Sequence, residues 1–252
     1  MPVIMRVGMT RWLIAILIAA LAAGAATGMQ NPLRDRLLRN ERTQQVSGWF
    51  QRADTGEFFL FDRSGDAALL QERDAPDSEV LVLYPDRAPG GGTAFITDTG
   101  REVIRLTGLG GATYFPRTSP DGVIADFASP AGALAPPPRS PDEVRERAEE
   151  LASEMAAALD RSISITYAPA PRAGLGVQYD TLHVIARAFD AVRGERRRLR
   201  GVEHVRIDLG ETPAAYRQES TLVVVIAPLL GYSGRPSSEF IGQVLLSDPG
   251  AI

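Results

Sequence analysis

The tripeptide Asp-Thr-Gly occurs twice in this chain, at Asp54 to Gly56 and at Asp98 to Gly100. Two aspartates of that kind can share one proton and activate a water, the chemistry of a carboxylate-dependent hydrolase of the aspartic-peptidase type. The flanks argue against it: Ala53 and Thr97 precede the triplets, and charged Glu57 and Arg101 follow them. An Asp-x-Gly between alternating strands is also what a hairpin needs, because Asp caps the turn and Gly takes the positive φ. The hairpin reading is favoured, with the Asp54/Asp98 hydrolase kept as the alternative.

Other constellations reduce in the same way. Gly231-Tyr232-Ser233-Gly234-Arg235 approaches a nucleophile elbow, but its fifth position is Arg235 and no histidine follows Ser233 to act as base. Asp62-Arg63-Ser64-Gly65-Asp66 has alternating oxygen ligands, yet it lacks the later bidentate glutamate of a calcium loop and reads as a tight turn. The only histidines are His183 and His204, so a three-histidine metal site is excluded. His183 shares a helical face with Asp180, Arg187 and Asp190, which reads as a solvated stripe. His204, Arg206 and Asp208 share one strand face, read as solvent-facing. Arg196, Arg197, Arg198 and Arg200 form the basic cluster, at a helix end where the dipole itself favours cations.

The most specific ligand candidate is Gly234-Arg235-Pro236-Ser237-Ser238. Pro236 has the φ of a helix start, which would leave the N–H groups of Ser237 and Ser238 beside the Arg235 guanidinium, a geometry suited to a carboxylate or phosphate. The alternative is that the serines and Glu239 cap the helix while Arg235 pairs with a nearby acid.

Composition narrows the classes further. All 27 basic residues are arginine, which removes Schiff-base chemistry, a lysine base and a Walker A loop. Cysteine is absent, which excludes disulfides and thiolate chemistry. The net charge of −4 argues against a nucleic-acid partner, and nothing points to a cofactor or a metal.

The elements that must hold these residues fall into two textures. Short aromatic and branched runs from Trp49 to Phe127, separated by Gly/Asp turns, predict an antiparallel β domain over 46–128. A Pro-rich linker follows at 129–141, and with it the expectation that few contacts cross. Ser140-Pro141-Asp142-Glu143 is a capping box that opens an amphipathic helix to Asp160. Beyond it the order is strand 163–167, helix 179–192, strand 205–209, a strand covered on both sides at 222–226, and a last helix after Pro236. The fold class is α+β, an N-terminal antiparallel β domain and a C-terminal small α/β sandwich over 142–252.

At the start, Arg6 and Arg11 lead into the apolar run Trp12 to Ala22, and Ala23 to Gly28 offers small-residue cleavage sites. Residues 1–28 therefore read as a signal peptide, with an uncleaved anchor as the alternative, and 29–45 as a polar lead-in. The mature chain belongs in the periplasm or outside the cell; a membrane partner is expected only if the signal is retained.

Three segments carry a resemblance. Phe59-Leu60-Phe61-Asp62-Arg63-Ser64-Gly65, Gly108 to Phe115, and Gly234 to Ser238 together resemble a family of exported alphaproteobacterial proteins known as a domain of unknown function. The resemblance implies export and a shared fold, and it brings no activity, cofactor or catalytic residue with it. The function expected from these observations is a non-catalytic binding or interaction module, whose partner is a protein or a small anionic ligand in the periplasm.

Overall fold

The structure is a computed structural model and describes residues 47–73, 78–108 and 110–247. The signal peptide expected at 1–28 and the lead-in expected at 29–45 lie outside the described residues. Eight strands come first: β1 (Ser47–Arg52), β2 (Phe58–Asp62), β3 (Ala68–Glu72), β4 (Leu81–Ala88), β5 (Gly92–Ile96), β6 (Glu102–Thr107), β7 (Ala112–Tyr114) and β8 (Val123–Pro130). Each pairs antiparallel with the next, and β1 pairs with β8, so the sheet closes into an up-and-down barrel without an edge. Gly56 and Gly100 hold positive φ in the β1–β2 and β5–β6 hairpins, the role expected of both Asp-Thr-Gly triplets.

Alternation of side chains sends Phe59, Phe61, Leu70, Leu83, Phe95, Ile104 and Tyr114 into the barrel. The Phe59 and Tyr114 rings lie 4.6 Å apart and those of Phe61 and Phe95 5.1 Å, so aromatics fill the lumen. Burying each of these phenylalanines contributes roughly 1.5–3 kcal/mol. Strand β3 is absent from the sequence expectation because Ala-Leu-Leu-Gln-Glu is made of good helix formers; pairing on both sides, with β2 and β4, overrides that propensity.

The second part is a layered α/β structure. Helix α1 (Pro141–Leu159) is followed by β9 (Ser164–Tyr167), a 3₁₀ turn, α2 (Leu175–Val192), the short α3 (Arg196–Leu199), β10 (His204–Leu209), β11 (Ala214–Gln218), β12 (Thr221–Ile226), a 3₁₀ segment Pro228–Gly234 and α4 (Ser238–Leu246). The sheet order is β11-β12-β10-β9, with β9, β10 and β12 parallel and β11 antiparallel at the edge. Leu151 and Met155 of α1, Leu182 and Ile185 of α2 and Ile241 and Leu245 of α4 share one core with Val205, Ile207, Leu222 and Val224 of the sheet. Val223, on the opposite face of β12 and paired across to Arg206 and Tyr216, is also fully buried. The fold is thus α+β. The sequence reading lacks β11, whose Ala-Ala-Tyr-Arg-Gln is too weakly alternating to announce a strand.

The Pro-rich segment begins inside a strand, because β8 runs to Pro130. It is fastened at several points. Ser47 Oγ donates to the Gly132 carbonyl (2.9 Å), and the Leu134 N–H donates to the buried Asp62 carboxylate (2.7 Å). Gly176, in the first turn of α2, admits the Pro137 carbonyl: a Cβ there would stand 2.4 Å from that oxygen. Leu134 and Tyr232 also pack on Leu69, Val80 and Val82, the outer face of β3 and β4. Among the described residues no helix is long and apolar enough to cross a membrane.

Candidate functional site at the barrel mouth

In an up-and-down barrel the β1–β2, β3–β4, β5–β6 and β7–β8 connections all lie at one end. The entry to α4 meets the barrel at that end, and a cavity of about 680 Å³ lies there, lined by hairpin residues of the barrel together with Arg187 of α2 and Ser237, Ser238 and Glu239 of α4. Its apolar wall includes Phe58, Phe59, Leu70 and Leu81.

The approach of α4 to the barrel is set by a run of ionic contacts. Gly234 makes the preceding turn possible: the Ala227 N–H donates to its carbonyl (2.7 Å), and a Cβ on Gly234 would fall 2.0 Å from the Ala227 oxygen. Next, the fully buried Arg235 side chain donates to the carboxylates of Asp180 and Glu79 and to the Val80 carbonyl (3.1 Å). Ser237 is the N-cap: its Oγ accepts from the Phe240 N–H (3.0 Å) and donates to Asp98 Oδ1 (2.5 Å), while its own N–H donates to Asp98 Oδ2 (2.8 Å). Ser238 binds Glu79 in the same manner through its N–H (3.0 Å) and its hydroxyl. Finally Glu239 Oε2 accepts from Arg101 (3.1 Å) and Arg117 (2.7 Å). The helix start thus receives carboxylates, as its dipole and unpaired N–H groups favour, and they come from the β3–β4 and β5–β6 connections of the same chain.

Inside the mouth the charges are partly spent. Arg52 pairs with Asp54 and Glu57, both at 2.8 Å, and this holds the Asp54 carboxyl below its ordinary range through the hydrogen bond from the guanidinium. Tyr114 donates its hydroxyl to Glu72 (2.7 Å); burial, reinforced by that carboxylate, raises the phenol above its usual range and keeps it a donor. Glu72 has no ion pair among the described residues. Nor has Arg187, which is half-buried on α2 and lines the same cavity.

The sequence candidates fall into place as follows. Arg235, Ser237 and Ser238 meet anions of the same chain, Glu79, Asp98 and Asp180, which is the arrangement of the alternative, capping serines and an arginine paired with nearby acids; the two serines line the cavity, whereas Arg235 is sealed behind it. Asp54 and Asp98 are not brought together. They sit on the β1–β2 and β5–β6 hairpins with two strands intervening either way round, and each carboxylate is engaged elsewhere, so no shared proton joins them. His204 Nδ1 meets Ser164 Oγ (2.6 Å) on the exposed sheet margin and lies against no nucleophile elbow, while Ser233 sits in the 3₁₀ segment. Asp62 accepts from the Ser64 N–H (2.9 Å), which makes its loop a tight turn, and the basic cluster forms exposed α3. Among the described residues no group of three His, Asp or Glu side chains could hold a metal ion.

One reading is corrected. The α2 stripe of Asp180, His183, Arg187 and Asp190 is not uniformly solvated: His183 and Asp190 are exposed, but Asp180 binds Arg235 and Arg187 lines the mouth. Helical periodicity shows that these residues share a face and cannot show that a barrel lies against it. Glu72, Glu79 and Tyr114 also escaped notice as site residues, since no chemical motif surrounds any of them, and Glu239 was read only as a cap.

A closed eight-stranded barrel, whose polar mouth is partly covered by a helix entry from an α/β layer, is the class that this architecture defines. The chain belongs to the family described as Domain of unknown function (DUF4908), whose model matches residues 32–245. No curated protein and no solved structure matches it.

Proposed function

We propose that this protein is a non-catalytic binding module that receives a small anionic ligand in the mouth of its barrel. The observation that carries the reading is the cavity of about 680 Å³ with Arg187 on its wall and no carboxylate paired to that arginine among the described residues. That volume lies within the range of small-ligand pockets, and its lining joins an apolar wall to charged and hydroxyl side chains that could fix a polar ligand's orientation. The barrel interior below is filled by aromatic rings, so the ligand is held at the mouth. Ser237 and Ser238 serve this site by fixing the cover, and Arg235 by locking it from behind.

The test is a calorimetric titration of the protein with aryl carboxylates and aryl phosphates. Saturable binding by the wild type, weakened roughly tenfold in Arg187→Gln, is the expected result for losing one charge-assisted contact. No binding of any of these anions at millimolar concentration overturns the reading. We also read the module as exported on the leader at 1–28, so release by osmotic shock without Trp12 is expected; Trp12 retained in a membrane pellet would favour the anchor.

A further inference from the structure

The charges around the mouth point to the ligand's other end. Eight charged side chains line the cavity: Arg52, Arg101, Arg117 and Arg187 against Glu57, Glu72, Glu79 and Glu239. Six of them are neutralised within the protein. Arg52 is paired with Glu57, Arg101 and Arg117 with Glu239, and Glu79 with the buried Arg235 and the Ser238 N–H. Two remain without a counter-charge among the described residues, and they have opposite sign: Glu72 and Arg187. They come from different parts of the fold, Glu72 from the end of β3 on the barrel and Arg187 from α2 in the α/β layer.

Glu72 is also held in place. The Tyr114 hydroxyl occupies one of its oxygens, Oε1, at 2.7 Å, and the Tyr114 ring itself packs against Phe59, with centroids 4.6 Å apart. No described residue donates to the second oxygen, which leaves it as an acceptor beside the apolar wall. A carboxylate so placed next to a ligand site favours a cationic donor, and a plain anion would meet repulsion from it.

Resting on the binding reading above, we infer that the ligand is an organic zwitterion with an apolar body between its ends, its cationic group bonded to Glu72 and its anionic group to Arg187. Short peptides are the natural probe. Each residue adds at most about 3.5 Å of reach, so a series from two to four residues samples the span between the two charges.

The experiment is calorimetric titration of the wild-type chain with two-, three- and four-residue peptides carrying one phenylalanine, each in three forms: free termini, acetylated N-terminus, amidated C-terminus. For at least one length the free form should bind roughly tenfold more tightly than either blocked form, the worth of one charge-assisted hydrogen bond at each end. In Glu72→Gln, which keeps an acceptor for Tyr114, the advantage of the free over the acetylated form should vanish; in Arg187→Gln the advantage over the amidated form should vanish. If acetylated peptides or aryl carboxylates bind as well as every free peptide, the zwitterion inference is overturned and the anion-binding reading stands. If no peptide and no anion binds, both fall. The comparison of blocked and free peptides uses the wild type alone, so it does not depend on either variant folding.

Discussion

The seam at the start of α4 and the cavity beside it are built from the same kinds of side chain to opposite ends. At the seam every charge is answered: Arg235 by Glu79 and Asp180, the Ser237 N–H by Asp98, Glu239 by Arg101 and Arg117. In the cavity Glu72 and Arg187 are left over, with no ion pair among the described residues. A buried guanidinium tolerates low dielectric only when paired, so the seam must be complete for the fold to exist. A solvated mouth carries no such penalty, and charges can wait there for a partner. The arginine free to meet a ligand is therefore not the one in the most motif-like sequence but the one that folding leaves unpaired among the described residues.

The sharpest way to break this contrast is Arg235→Ala. It leaves the carboxylates of Glu79 and Asp180 without their buried counter-charge, and the expected loss is about 3–5 kcal/mol, measured by denaturant unfolding. A loss below about 1 kcal/mol would mean that the seam is not a structural lock.

Arg187→Gln should behave in the reverse manner, with unfolding free energy unchanged to within about 0.5 kcal/mol. Anion affinity, however, should fall roughly tenfold in the titration described above. A large stability loss here would erase the distinction between the two arginines.

Between these lies Ser237→Ala. It removes the N-cap acceptor for the Phe240 N–H and one hydroxyl donor to Asp98, and about 1–2 kcal/mol of stability should go with them. Hydrogen exchange should show faster opening at the first turn of α4.

The smallest effect belongs to a helix start remote from the mouth. Glu143 closes the α1 capping box: the Ser140 N–H, then Arg139 and the Ser140 hydroxyl, bring its carboxyl from the ordinary 4.5 down to about 2. Because the folded-state value is depressed, the contribution is complete above about pH 4.5 and is lost as the pH falls toward 2. Glu143→Gln should therefore flatten part of the acid limb of the stability curve. An unchanged slope between pH 4.5 and 2 would show that the box does not couple to folding.

Much of the architecture was legible in the sequence because its signals are local. Gly turns and alternating aromatics announce seven of the eight barrel strands, and Ser140 with Glu143 announces α1. Pro236 with two serines announces the start of α4, with Ser237 as its cap. The rest depends on contacts distant in sequence. Strand β3 owes its conformation to β2 and β4 and not to Ala-Leu-Leu-Gln-Glu, and barrel closure is decided by the pairing of β1 with β8, which no local pattern records. That Asp98 and Glu79 would be the anions at α4, and that Arg187 would line a cavity at the barrel mouth, follows from where the barrel sits against α2 and α4. Local chemistry fixes what each residue can do. Only the tertiary structure decides which of those capacities the protein consumes in holding itself together, because a charge is satisfied or left over according to what folding brings beside it.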